Sequence, residues 1–179
     1  MQFSEYRVAA AKTAIYPERK KIVYPGLGLA GEAGEVSNQV KKIFRDDNGI
    51  PGPARIANII AEVGGVYWYC AALANDLEIE QLPPSTAQIE EQVELEALLL
   101  AGDAGDIAAV VYQFAIRHST AEDLLHVYRI DEDIAWVLKR LEHILTFVGS
   151  TPAECMQANL DKLADRSVRG TLKGDGDHR

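Results

Sequence analysis

The residues best suited to chemistry are two glutamates three apart, Glu32 and Glu35, within Leu29-Ala30-Gly31-Glu32-Ala33-Gly34-Glu35-Val36. Carboxylates at this spacing share a helix face, and hard divalent cations such as Mg2+ or Mn2+ prefer oxygen ligands. A cation held there would suit a phosphate-bearing substrate, because it bridges phosphate oxygens and polarises a water whose proton a neighbouring carboxylate can take. Acidic pairs on helices more commonly mark a solvated surface. Here, however, Leu29, Ala33, Val36, Val40 and Ile43 recur at helical spacing. At about 100° per residue, Glu32, Gln39, Glu35 and Lys42 fill an arc of roughly 80° beside that stripe rather than opposite it. The acids therefore border a core. Gly31 and Gly34 each cost a helix interior about 1 kcal/mol relative to Ala, so they predict that a ligand or a packed helix approaches this backbone closely.

The elements that must position these acids read as helices throughout. Residues 3–14 form a first helix with Phe3, Tyr6, Ala10 and Ala14 inward, and a loop through Tyr16-Pro17 and Tyr24-Pro25-Gly26 leads into the glutamate helix, which ends near Arg45. Asp46-Asp47-Asn48-Gly49 followed by Pro51 and Pro53 is a strong break. A third helix from about Ala54 to Asp76 carries Ile59, Val63, Val66, Cys70, Leu73 and Leu77 on one face, and Asn58, Glu62, Gly65, Tyr69 and Ala72 on the adjacent one. Pro83-Pro84-Ser85 is a linker to a helical stretch over roughly Ala87 to His118, with Gly102 as a point where it could break. Ser119 and Thr120 before Glu122 and Asp123 look like a helix start, and Thr151-Pro152-Ala153-Glu154 is a capping box opening a last helix that ends near Arg166. An irregular tail runs from Arg169-Gly170 to Gly174-Asp-Gly-Asp177. Period-two alternation is absent, so no sheet is expected.

A chain of 179 residues with net charge −9 and a pI near 4.9 fits one domain and argues against a nucleic-acid polymer as partner, since phosphate backbones are bound by basic surfaces. A small anion bridged by a divalent cation remains open. The N-terminus lacks a basic region followed by an apolar run, and no stretch reads as a membrane span, so the expected compartment is cytoplasmic, with no membrane partner. Cys70 and Cys155 read as two buried thiols, and His118, His126, His143 and His178 have no ligand spacing.

The glutamate motif also recurs. Leu29-Ala-Gly-Glu32-Ala-Gly-Glu35-Val36 matches Leu100-Ala-Gly-Asp103-Ala-Gly-Asp106-Ile107 at an offset of 71 (32 to 103), and the same offset carries Glu62 onto Asp133. One offset matching eight residues and a distant acid indicates an internal duplication, with residues 1–82 as first repeat, 83–150 as an inserted degenerate repeat and 151–179 as last helix and tail, all within one domain.

Several stretches resemble the all-α MazG-like nucleoside triphosphate pyrophosphohydrolases. They are Thr13-Ala-Ile-Tyr-Pro17, Tyr24-Pro-Gly-Leu-Gly-Leu-Ala-Gly-Glu-Ala-Gly-Glu-Val36, Lys41-Lys42, Arg45-Asp-Asp-Asn-Gly49, Glu62-Val-Gly-Gly-Val-Tyr-Trp-Tyr69 with Ala71-Ala-Leu-Ala74, and Asn159-Leu-Asp-Lys-Leu-Ala-Asp-Arg166 with Arg169-Gly170 and Gly174-Asp-Gly-Asp177. The resemblance covers residues 1 to about 82 and 150 to 179. It implies an all-α helical bundle and Mg2+- or Mn2+-dependent cleavage of a (deoxy)nucleoside triphosphate to the monophosphate and pyrophosphate. Glu32, Glu35 and Glu62 would be the metal ligands, Glu35 being the best candidate for orienting or deprotonating water. By position, Lys42, Tyr69, Asn159, Lys162 and Arg166 inherit substrate-binding roles. Trp68 is expected in the core or at a subunit interface, and relatives that build sites between protomers imply a homodimer.

Two departures from the family pattern stand out. Its second acidic pair would be Glu62 with an aspartate at 65, where this chain has Gly65, and residues 83 to about 150 are inserted. The duplicate keeps Asp103, Asp106 and Asp133 as secondary acids and has Trp136 at the fourth position. Either the two halves complete one site, or the protein works with fewer ligands, or it is a catalytically weakened protein that binds nucleotides or serves as a regulatory interaction module.

Overall fold

The computed structural model describes residues 1–117, 120–126 and 128–172; His118, Ser119, His178 and the Gly174-Asp-Gly-Asp177 end of the tail lie outside the described residues. Among those described, the chain is all-helical with no strand. Seven helices follow in order: α1 (Phe3–Ala10), α2 (Val23–Asp46), α3 (Pro53–Asp76), α4 (Val93–Arg117), α5 (Ala121–His126), α6 (Ile130–Phe147) and α7 (Pro152–Val168).

The long helices start and stop where local chemistry dictates. Pro53 stands at the first position of α3, where its missing N–H costs nothing. Thr151 accepts a hydrogen bond from the Glu154 N–H while Glu154 reaches back to the Thr151 N–H, which completes the expected capping box of α7. Thr120 and Asp123 do the same for α5. The first predicted helix is shorter than read: α1 stops at Ala10 and tightens into a 3-10 turn over Ala11–Thr13. The stretch predicted as Ala87 to His118 begins only at Val93 and runs through Gly102 unbroken, since its buried face (Ala97, Leu100, Ala104, Ile107, Val111) continues without a gap.

Helices α2 and α3 form an antiparallel hairpin, α4 and α6 form a second, and α2 lies along α4 between them, with α7 and α1 covering α3. Arg55 ties the turn end of the first hairpin by donating to Gln39 (2.8 Å) and Asp47 (2.9 Å). Ser37 Oγ donates to the Ala97 carbonyl across α2 and α4 at 2.9 Å. Helix α3 is long and apolar enough, by length and composition, to cross a membrane, contrary to the sequence expectation. Its apolar residues serve instead as the centre of the bundle, buried against α2, α6, α7 and α1. Both thiols are buried, and burial pushes the Cys155 thiol up to about 12.

The 71-residue offset is visible in the helix boundaries. It carries Asp76 onto Phe147, the last residues of α3 and α6. The exits match bond for bond. Leu77, Glu78 and Ile79 donate to the carbonyls of Leu73, Asn75 and Ala74, and Val148, Gly149 and Ser150 donate to those of Ile144, Thr146 and Leu145. Glu78 and Gly149 occupy the same left-handed region, at φ 54° and 74°. Along α2 and α4, Gly31, Gly34 and Glu35 are exposed and Ala33 and Val36 buried, as are Gly102, Gly105, Asp106 and Ala104, Ile107.

The segment before α2 is held by one carboxylate. Asp76 Oδ2, at the end of α3, accepts from the Tyr16 hydroxyl (3.0 Å) and from the Ile22 N–H (2.9 Å), and Ile22 is buried in a left-handed conformation (φ 65°) that a β-branched residue rarely adopts. Asp76→Ala should therefore cost about 2 kcal/mol, the size of a charge-assisted hydrogen bond lost to a part-buried site. Urea denaturation measures the loss, and limited proteolysis should then cut between Ala14 and Val23 faster than in the native protein.

Candidate active site

One cavity of about 410 Å³ collects most of the chemistry-bearing residues: Glu32 and Glu35 from α2, Glu62, Gly65 and Tyr69 from α3, and Asn159, Lys162 and Arg166 from α7. Glu35 is exposed at its edge, Glu32, Glu62, Tyr69 and Lys162 are half-buried, and Asn159 and Arg166 are buried. Lys42 does not line it. It lies two turns beyond Glu35 on α2, where its charge helps to lower the Asp46 carboxyl, behind the larger effect of the hydrogen bonds from Arg45.

The acids reach the cavity because α2 and α3 touch through glycines. The Tyr69 ring lies directly over Gly28, leaving no space for a Cβ there, and the Glu32 carboxylate lies directly over Gly65, with its Cδ 2.6 Å from where a Cβ would stand. Each helix supplies a glycine one turn from its own functional side chain, so the contact is reciprocal. The α7 side repeats the device: Asn159 Cβ and Nδ2 would both lie 3.1 Å from a Cβ on Gly64. The expectation of close approach at Gly31 and Gly34 is corrected by these contacts. Both are exposed with nothing near, and the closely approached glycines are Gly28, Gly64 and Gly65 at the cavity and Gly26, where a Cβ would stand 3.0 Å from Val111 of α4. Gly65 does not leave an open vacancy either, because Glu32 fills it.

Asn159 is fixed in orientation. Its Oδ1 accepts from the fully buried Tyr6 hydroxyl at 2.7 Å, which leaves the amide Nδ2 as the donor available to the cavity.

An aromatic wall was missed by the sequence reading. Tyr16 stacks on Tyr24 with ring centroids 4.7 Å apart and 19° between planes, Trp68 meets Tyr69 edge-on at 4.9 Å, and Tyr24 lies 6.2 Å from Tyr69. All four line the cavity. Trp68, expected in the core or at a subunit interface, is nearly buried but faces this space, its indole N–H donating to Thr13 Oγ1 at 2.9 Å. A helical wheel gives the reason, since residue 68 is only about 60° from residue 65. The Tyr-Pro pairs at 16 and 24 were the available signal for the other two.

Three carboxylates on one cavity form an oxygen donor set of the chemistry that Mg2+ and Mn2+ take. Among the described residues no three such groups converge at coordinating distance, and Glu32 rests on Gly65. The donors fit the ion in kind.

The acids of the second half are arranged differently. Arg140, at the position equivalent to Tyr69, donates to Asp103 from Nε and from Nη1 to the Gln88 carbonyl (3.0 Å) and to fully buried Glu96 (3.3 Å). Trp136, equivalent to Gly65, donates to Thr86 of the linker at 3.1 Å. Desolvation, then the charges of Asp106 and Asp103, push the Asp133 carboxyl up to about 6. A folded-state pKa raised above the unfolded value means that ionisation opposes folding, so this residue's contribution falls as pH rises from about 4 to 6 and is unfavourable above. Asp133→Asn should raise the melting temperature at pH 7.5, with the gain shrinking towards zero at pH 4. Thermal melts of both proteins across that range provide the check.

No protein-family model matches the chain, and no solved structure matches it significantly. It is 42% identical over 85 residues to the Gene 37 protein of Mycobacterium phage L5, an alignment that covers 44% of this chain and 75% of that protein. At that identity and coverage, the chain belongs to the family of the mycobacteriophage Gene 37 protein.

Proposed function

We propose that the protein is a MazG-like pyrophosphohydrolase that cleaves a (deoxy)nucleoside triphosphate to the monophosphate and pyrophosphate, with Mg2+ or Mn2+ as cofactor, and that its fold arose by internal duplication of a helical half. The observation that carries the reading is the composition of one cavity: three carboxylates, two cations, an oriented amide and four aromatic rings. The identical helix exits at the 71-residue offset support the duplication.

Each group has a task suited to its chemistry. Tyr16, Tyr24, Trp68 and Tyr69 offer π-faces and edges on which a base can stack. Lys162 and Arg166, three and seven residues beyond Asn159 on α7, present charge and donors to phosphate oxygens, Arg166 in the planar fork that suits phosphate. Glu32, Glu35 and Glu62 would hold the divalent cation, which when bound neutralises phosphate charge and acidifies a water. Glu35, the most exposed of the three, is placed to orient that water and accept its proton. Lys42 lies outside the cavity, so its role in this reading is confined to drawing an anion towards the cavity mouth.

A second reading, binding without turnover, is favoured by Gly65, where the family pattern has an aspartate. Release of pyrophosphate from the four dNTPs and NTPs with Mg2+ or Mn2+ separates the two, because a binder shows ligand-induced thermal stabilisation without product.

Glu32→Gln and Glu35→Gln each remove a negative ligand at constant size, so turnover should fall at least about tenfold in both. Native-like rates in the two variants would remove the metal assignment. Asp103→Asn combined with Asp106→Asn should cost less than Glu32→Gln alone. Gly65→Asp should lower turnover rather than raise it, because the new side chain displaces the Glu32 carboxylate from the place it occupies. Steady-state assays on this variant with calorimetric Mn2+ titration test the point, and a gain in both quantities would show that Gly65 is a lost ligand position.

A further inference from the structure

We propose that Arg140 is a built-in cation that fills the second acidic site of the molecule, the place taken in the first half by an open cavity, so that the protein carries one open and one permanently occupied version of the same helix–helix site. The inference rests on the structural equivalence of the halves and not on the enzymatic reading.

The substitutions at equivalent positions act together. In the first half Gly28 and Gly65 let α2 and α3 approach while Tyr69 and Glu32 lie over them. In the second half both glycines are replaced, by Leu99 and Trp136, Tyr69 becomes Arg140, and Glu32 shortens to Asp103. Space that is open beside α3 is thus taken by an indole and a guanidinium beside α6. The guanidinium is aimed inward, its side chain only 7% exposed, and its partners are the acid equivalent to Glu32 (Asp103), a second acid with no exposure (Glu96) and a linker carbonyl (Gln88). The linker closes the remaining side. Thr86 accepts from Trp136, and the Glu90 N–H donates to Glu96.

Charge gives the physical reason. Glu96, Asp103, Asp106 and Asp133 lie near enough to perturb one another, and carboxylates in such proximity need a cation or a proton. A divalent ion would serve only while its concentration sufficed. A covalently attached guanidinium is always charged and always present, and its fork satisfies two carboxylates and a carbonyl at once. The second half therefore needs no ion to hold α4 against α6.

The test is calorimetric Mn2+ titration of the full chain. Arg140→Met combined with Glu96→Gln removes the buried pair as a pair, so it avoids leaving one charge stranded, and it leaves Asp103, Asp106 and Asp133 as the counterpart of Glu32, Glu35 and Glu62. The double variant should bind one Mn2+ more than the native protein, and adding Asp106→Asn should abolish that extra equivalent. The native protein's own count, whether zero or more, tests the first site separately, since only the difference bears on Arg140. Equal stoichiometry in native and double-variant proteins would overturn the proposal. If the double variant is unfolded without ions, recovery of its helical circular dichroism on adding Mn2+ supports the proposal, and failure to recover at saturating Mn2+ overturns it. Arg140→Lys, which keeps the cation, should fold without Mn2+ and bind no extra equivalent.

Discussion

The structure depends on how closely α2 and α3 can lie together. A tyrosine and a glutamate both project into the seam between these helices, and neither could do so if the opposite backbone carried a Cβ. Tyr69 needs Gly28 and Glu32 needs Gly65. The two contacts run in opposite directions across one seam, so a side chain added at either glycine displaces a functional group rather than merely crowding a core. Two glycines in helix interiors cost roughly 2 kcal/mol in backbone entropy. That cost makes sense only where the close approach itself is used, and here it turns an acid and an aromatic ring into adjoining walls of one cavity. Helix α7 joins through the same device at Gly64, where Asn159 is seated and held by Tyr6.

Much of this was legible from residue spacing. The periodicity of α2 and α3, the breaks at Asp46-Asp47-Asn48-Gly49 and Pro53, and the capping box at Thr151 are local signals, and the structure places those helix ends within a residue or two of the expected positions. The family resemblance, rather than spacing, grouped Lys42, Tyr69, Asn159, Lys162 and Arg166 with the acids; all of these but Lys42 line one cavity with Glu32, Glu35 and Glu62. What failed was everything that depends on a partner distant in sequence. Gly31 and Gly34 were read as contact glycines because they flank the acids, yet a glycine's use is decided by what lies opposite, and only the path of α3 reveals that Gly28 is the one covered. Tyr16 joins the cavity because Asp76, sixty residues later, fixes its hydroxyl. The break suggested at Gly102 ignored the continuity of the buried face on either side of it, which outweighs a single residue's propensity.

Under the proposed duplication, the two halves keep one helical frame and differ at the seam. The C-terminal exits of α3 and α6 are retained hydrogen bond for hydrogen bond, and the core positions Ile59, Val63, Val66, Leu73 and Leu77 keep buried aliphatic counterparts in Ile130, Ile134, Val137, Ile144 and Val148. At the seam Gly28, Gly65 and Tyr69 are replaced by Leu99, Trp136 and Arg140. Burial of a guanidinium with two carboxylates brings little net stability, because desolvation of the three charges offsets most of their attraction. Its benefit is specificity, since Arg140 satisfies Asp103 and Glu96 only when α4, α6 and the linker are in this register.

Charge at the open cavity constrains what it can receive. Among the described residues, its lining carries three carboxylates and two cationic side chains, in a chain that is itself strongly acidic. In the proposed reading, positive charge bound to the acids receives an anionic ligand, which gains further hold if part of it is aromatic and can lie against Tyr16, Tyr24, Trp68 and Tyr69. A phosphate ester without a base lacks the second contribution, and a nucleoside without phosphates leaves Lys162 and Arg166 unused. On the reading proposed above, a nucleotide accompanied by a divalent cation is the ligand that would use both walls together.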